Sequence, residues 1–124
     1  MPPFGDEEGF GAGFGVRRPL RFLAHKLDLD ENQVVQLARI LDGLKTERAQ
    51  AAVDDRRTLS DFADALGDEK FDGAKANAAG DRRIESQNRV RKTLVASLEL
   101  IHAILTPEQR QRLAHLIRTG VLAV

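Results

Sequence analysis

The chain has no cysteine, no tryptophan and no tyrosine, and one methionine and four prolines among 124 residues. Without cysteine there is no disulfide scaffold, no thiolate metal site and no thiol nucleophile. Without tryptophan and tyrosine, the usual aromatic anchors of binding faces are missing. No charge dominates: 19 Lys+Arg stand against 19 Asp+Glu. That excludes a basic field over the whole surface, of the kind nucleic-acid-binding proteins use to collect phosphate. Arg110, Arg112 and Arg118, near the C-terminus, are scattered around a helix rather than set along one side, so no recognition helix is expected. A long apolar run is also lacking. The most apolar stretch, Leu94 to Leu105, is interrupted by Ser97, Glu99 and His102 and is too short to span a bilayer. Residues 1–15, MPPFGDEEGFGAGFG, carry Asp6, Glu7 and Glu8 and hold no secretory apolar core. A chain that natively starts at Met1 is therefore expected in the cytoplasm.

What is present points to one small helical domain. Charged residues make up 31% and apolar ones 42%, enough apolar material to fold. The first sixteen residues form a Gly/Phe-rich acidic tail, for which there are two readings: disorder, or an arm that docks its phenylalanines. The domain is expected over 17–120, followed by a short C-terminal tail, 121–124. Pro19 suits a first helical turn, and Leu20, Leu23, Ala24 and Leu27 mark a short amphipathic helix. Asp30 is an N-cap with Gln33 three residues later, the spacing of a capping box. A long helix then carries Val34, Leu37, Ile40, Leu41 and Leu44. Its stripe thins to alanines and returns as Leu59, Phe62 and Leu66 before Gly67 stops it. Asp72 caps a second long helix, with Phe71 in the staple position and Ile84, Val90, Leu94, Leu98, Ile101 and Leu105 along it. Thr106, Pro107 and Gln109 open a last helix with another capping box. Leu113, Leu116 and Ile117 form its apolar face, and Gly120 ends it. No alternating Val/Ile/Thr-rich segment bounded by turns signals a strand.

The two long helices are predicted to pair as an antiparallel hairpin, with facing residue numbers summing to about 138. Leu37 then meets Ile101, Leu44 meets Leu94, Glu47 faces Arg91 and Asp55 faces Arg83. Charge supports the pairing. Residues 30–66 hold eight acids and five bases, whereas residues 81–105 hold five bases and three acids. Two short helices are not enough to cover so long a hairpin. The apolar tip of Leu59, Phe62, Leu66 and Phe71 calls for another partner, and a homodimer is the expected solution.

Leu105-Thr106-Pro107-Glu108-Gln109 resembles the LTxxQ motif of the Spy/CpxP-like superfamily. This group includes envelope-stress chaperones, zinc-resistance-associated proteins and periplasmic heavy-metal sensors. Leu29-Asp30-Glu31-Asn32-Gln33 is similar to a second copy, with Asp in place of Thr, and Phe71-Asp72 looks like the family's turn. The likeness covers about residues 17–120. It implies four helices built round a long hairpin, dimerisation into a cradle, and ATP-independent holding of unfolded clients on a surface mixing basic and apolar groups. The candidates for that surface are Arg56, Arg57, Leu59, Phe62, Arg82, Arg83 and Arg89, and each has a plainer reading. Arginines on a helix also make surface ion pairs, and Leu59 and Phe62 also suit a dimer core. The resemblance implies an exported protein, periplasmic or membrane-anchored, if these residues belong to a longer precursor.

Two further roles fit the same sequence. The resemblance also implies a metal-responsive sensor of zinc, nickel or copper. Its ligand candidates are His25 and the Glu-x-x-His pair Glu99 and His102, completed across a dimer. The plain reading of His102, and of His115, is a histidine packed at the edge of the apolar stripe. The other role is a structural coiled-coil partner of another chain. Catalysis has no support. Ser60, Ser86 and Ser97 fall inside helical patterns with no nucleophile elbow, and no glycine-rich phosphate loop follows a strand. The expectation is a protein that works by binding.

Overall fold

A computed structural model describes residues 17–124. The acidic tail, with both of its readings, lies outside the described residues. Four helices follow in order: α1 (Arg17–Lys26), α2 (Glu31–Gly67), α3 (Gly73–Ile104) and α4 (Pro107–Arg118). The protein is all-helical, and the two long helices pack together. Helix starts fall where the caps put them. Asp30 Oδ1 accepts the Gln33 N–H at 2.8 Å, and Asp72 Oδ1 accepts the Lys75 N–H at 3.0 Å. Thr106 heads α4 with a complete capping box and Pro107 behind it.

Helix α1 ends in a Schellman turn. Leu29 N–H donates to Ala24 O at 3.0 Å and Asp28 N–H to His25 O at 3.3 Å. Asp28 takes the left-handed position at φ 55°, where glycine is usual and the short polar Asp is tolerated. Helix α4 is capped by Thr119 and followed by Gly120, whose φ is 79°. The chain then folds back, Leu122 N–H reaching Leu116 O at 3.1 Å, and the Leu122 side chain is buried. The short C-terminal segment therefore supplies part of the core rather than a free end.

The described residues fall into two compact units. The first comprises the chain up to Thr46 together with Leu94–Val124; the second is Glu47–Thr93. The first unit has a leucine-rich core of Leu23, Leu27, Leu37, Leu41, Leu44, Ile101, Leu105, Leu113 and Leu122, with Leu94, Leu98, Leu116 and Ile117 packed against it. The expected meeting of Leu37 with Ile101 falls inside this core.

The second unit buries Thr58, Ala65, Ala79 and Ser86, all small. Its helices are joined by polar links: Arg83 to Asp55 at 2.9 Å, Arg89 to Asp54 at 2.8 Å, Lys75 to Asp64 at 3.6 Å, and an Arg82–Asp61 pair. The Asp55–Arg83 pair is the one the register predicts. Glu47 differs from expectation: its Oε1 accepts from Thr93 Oγ1 at 3.4 Å rather than pairing with Arg91. The observed pairing runs two residues out of the predicted step at that point.

Candidate functional site: two joined caps and an open hairpin face

The best-built polar feature of the first unit lies at the two capping boxes. Each follows a helix end. Leu29-Asp30 links α1 to α2, and Leu105-Thr106 links α3 to α4. At each, the N3 glutamine accepts the cap backbone N–H, Asp30 N to Gln33 Oε1 at 3.0 Å and Thr106 N to Gln109 Oε1 at 2.9 Å. A capping box alone uses only the side-chain oxygen. The amide nitrogens go elsewhere. Gln33 Nε2 donates to Ile104 O at 2.8 Å, at the end of α3, and Gln109 Nε2 donates to Leu27 O at 3.1 Å, in the turn that ends α1. The two glutamines also bond each other, Gln33 Nε2 to Gln109 Oε1 at 2.7 Å and Gln109 Nε2 to Gln33 Oε1 at 3.3 Å.

The arrangement is reciprocal. Each glutamine ties the start of its own helix to the end of the helix that precedes the other motif. Each amide spends both hydrogens and each oxygen accepts twice, so two buried amides are satisfied with no group left over. Leu105 is buried and Leu29 half-buried beneath this junction, while Pro107 is exposed at the first position of α4. The motif residues Leu29, Asp30, Gln33, Leu105, Thr106, Pro107 and Gln109 thus form a fold junction that holds four helix ends, not a reactive site.

The second unit places the remaining candidates. Arg82, Arg83 and Arg89 each meet an aspartate on the facing helix, so the ion-pair reading applies to these three. The guanidinium of Arg83 also lies 5.5 Å from the centre of the Phe62 ring, which is half-buried. Asp54 gathers the most partners, accepting from Gln50 at 3.1 Å, Ser86 at 3.1 Å and Arg89 at 2.8 Å. The Gln50 amide first, then Ser86 and Arg89, hold its carboxyl below the usual carboxylate range, against partial desolvation.

Arg56 and Arg57 are exposed, and no ion pair to either is found among the described residues. The same unit leaves large apolar side chains open to solvent: Leu59 52%, Leu66 75%, Phe71 64% and Ile84 63% exposed. Phe71, in the staple position before the Asp72 cap, is thus largely in solvent.

The histidines are not packed at the edge of a core. His25, at the end of α1, and His102 and His115 are all exposed, as is Glu99 one turn before His102. Among the described residues, no group of three or more His, Asp or Glu side chains is placed to hold a metal ion. None of the described helices is long and apolar enough to cross a membrane.

An all-helical hairpin with two reciprocal Leu-cap-x-x-Gln junctions defines a class of protein by its joints rather than by a pocket. The chain belongs to the LTXXQ motif family, whose model matches residues 16–116 and carries the signature of the Spy/CpxP-like superfamily. No curated protein and no solved structure matches it.

Proposed function

We propose that this is a non-enzymatic, ATP-independent holding chaperone of the Spy/CpxP type, acting as a homodimer on unfolded protein chains. The observation that carries the reading is the exposure, in the second unit, of the large apolar side chains Leu59, Leu66, Phe71 and Ile84 together with Arg56 and Arg57. Patches of this kind mark interaction surfaces. Arginines attract an acidic or partly unfolded chain over a distance, and loosely packed apolar groups hold it without demanding one bound shape. The client surface narrows accordingly. Arg56, Arg57 and Leu59 are available to a client, whereas Arg82, Arg83 and Arg89 already serve the hairpin. Metal sensing by His25, Glu99 and His102 would need ligands from a second chain, and no specific contact favours it.

The test is suppression of aggregation of a chemically denatured client by the full chain at stoichiometric dimer. Suppression is expected, weaker at high salt and weaker in the Arg56→Glu/Arg57→Glu variant. Unchanged aggregation at both low and high salt removes the chaperone reading. Calorimetric titration with zinc, nickel and copper separates the sensor reading, which requires binding tighter than millimolar.

A further inference from the structure

In the first unit, a groove of about 330 Å³ opens beside the end of α1 and one face of α4. Lys26, Gln111, Arg112, His115 and Leu116 line it. Two of these, Lys26 and Arg112, are cationic, and no acid lines the groove among the described residues. Leu116 is half-buried and supplies an apolar wall. The Lys26 Nζ lies 5.9 Å from the centre of the Phe22 ring. The surface is thus apolar with a cationic rim, and its complement is a segment with carboxylates set among large apolar side chains.

We propose that the occupant is the chain's own N-terminal segment, residues 4–10, FGDEEGF. Asp6, Glu7 and Glu8 would meet Lys26, Arg112 and His115, and a flanking phenylalanine, Phe4 or Phe10, would lie on Leu116. Charge complementarity is the first argument. Residues 1–15 contain three acids and no Lys or Arg, and they also hold Phe4, Phe10 and Phe14, half of the protein's six phenylalanines. Reach is the second. Nine residue-to-residue steps separate Glu8 from Arg17, the first residue of α1. At ~3.3 Å per residue they span up to about 30 Å. Helix α1 rises only ~1.5 Å per residue, so Lys26 lies about 14 Å along it from Arg17. Folding back along α1 therefore uses about half the available length. Tethering supplies the third argument, because a linker this short keeps the acidic segment at an effective concentration in the ~mM range near the groove. Docking there makes the tail a built-in competitor: an acidic, apolar segment of any other protein has to displace it to use the groove.

The absence of cysteine makes the test clean. A single Gly9→Cys in the full chain takes one nitroxide label, and paramagnetic broadening of the amide signals of Lys26, Arg112, His115 and Leu116 reports docking. Broadening is expected in dilute protein. It should be lost when Asp6, Glu7 and Glu8 are all changed to Lys, and regained when Lys26→Glu and Arg112→Glu are added to that chain. Absence of broadening, or broadening that survives the charge reversal, overturns the proposal. Broadening that arises only between labelled and isotope-enriched copies assigns the groove to a second chain and also overturns it. So does a groove whose signals ignore the tail variants but move on addition of a polyglutamate peptide.

Discussion

The two compact units run on different physics although the same two helices pass through both. In the first, nine buried leucine and isoleucine side chains meet, from all four helices and from the segments that follow three of them. In the second, the buried residues are Thr58, Ala65, Ala79 and Ser86. Of its 47 residues, ten are acidic and ten basic. Small buried side chains let two helices approach closely but remove little apolar area from water. Cohesion of the second unit therefore leans on its aspartate–arginine pairs. Such exposed pairs contribute only ~0.2–1 kcal/mol each. The lesson is a division of labour, in which one unit holds the fold while the other leaves its large apolar groups, Leu59, Leu66 and Phe71, in solvent.

The contrast is broken most directly by matched truncations. Leu44 is fully buried and Leu66 is three-quarters exposed. Leu44→Ala is expected to cost about 2–5 kcal/mol, as large-to-small core changes do. Leu66→Ala should stay within about 0.5 kcal/mol, as surface changes do. Urea denaturation of dilute protein measures both. Equal losses would mean that the tip is as much a core as the leucine cluster, and the division fails. The same Leu66 variant should hold clients less well, so its effect belongs on function rather than on folding.

Next in size is the glutamine junction. Gln33→Ala removes the side-chain donor to Ile104 O, Gln109→Ala removes the one to Leu27 O, and each takes a partner from the remaining buried glutamine, at a cost of about 1–3 kcal/mol for each variant. Because the two side chains bond each other, the double variant should cost less than the sum of the singles. A coupling of about 0.5–3 kcal/mol is expected from a double-mutant cycle. Strict additivity would show two independent capping boxes that merely lie close. Gln109→Glu is the sharper probe. A glutamate completes a capping box as well as a glutamine does, but it has no amide hydrogens for Leu27 O and Gln33 Oε1. It should therefore destabilise despite preserving the box.

Local chemistry is legible in this sequence, and contacts between distant segments are less so. The caps gave the helix starts, since Asp30, Asp72 and Thr106-Pro107 announce themselves by chemistry local to a few residues. The hairpin register followed from facing charges well enough to place Asp55 against Arg83, and missed at Glu47, where Thr93 competes for the same carboxylate. The junction between the motifs was not foreseen, because each glutamine is explained by its own capping box through Oε1 alone. The unread signal was the choice of Gln at both N3 positions, which leaves two amide groups needing acceptors. Leu122 escaped notice for a related reason: beyond Gly120 there is no periodicity to follow, and only the positive φ of that glycine turns the leucine back into the core.

The smallest effect is the most selective for the second unit. Asp54 is held below the ordinary carboxylate value by the Gln50 amide first, and then by Ser86 and Arg89. A carboxyl with a depressed folded value stabilises the folded state above its unfolded value, near 4, and loses that contribution as pH falls through the lower folded value. Acidification below about pH 4 should therefore loosen Glu47–Thr93 while the leucine cluster still holds, because no ionisable side chain belongs to that cluster. Amide hydrogen exchange followed from neutral to acid pH, and corrected for the intrinsic pH dependence of exchange, measures both units in one sample. Amides around Thr58 and Ser86 should lose protection before those of Leu37 and Ile101. Asp54→Asn should give the lower protection already at neutral pH and a flatter acid profile. If the Asn variant keeps the wild-type acid profile, Asp54 is not the group that couples the second unit to pH. If both units lose protection together, the hairpin opens as one body and the contrast between them is only one of composition.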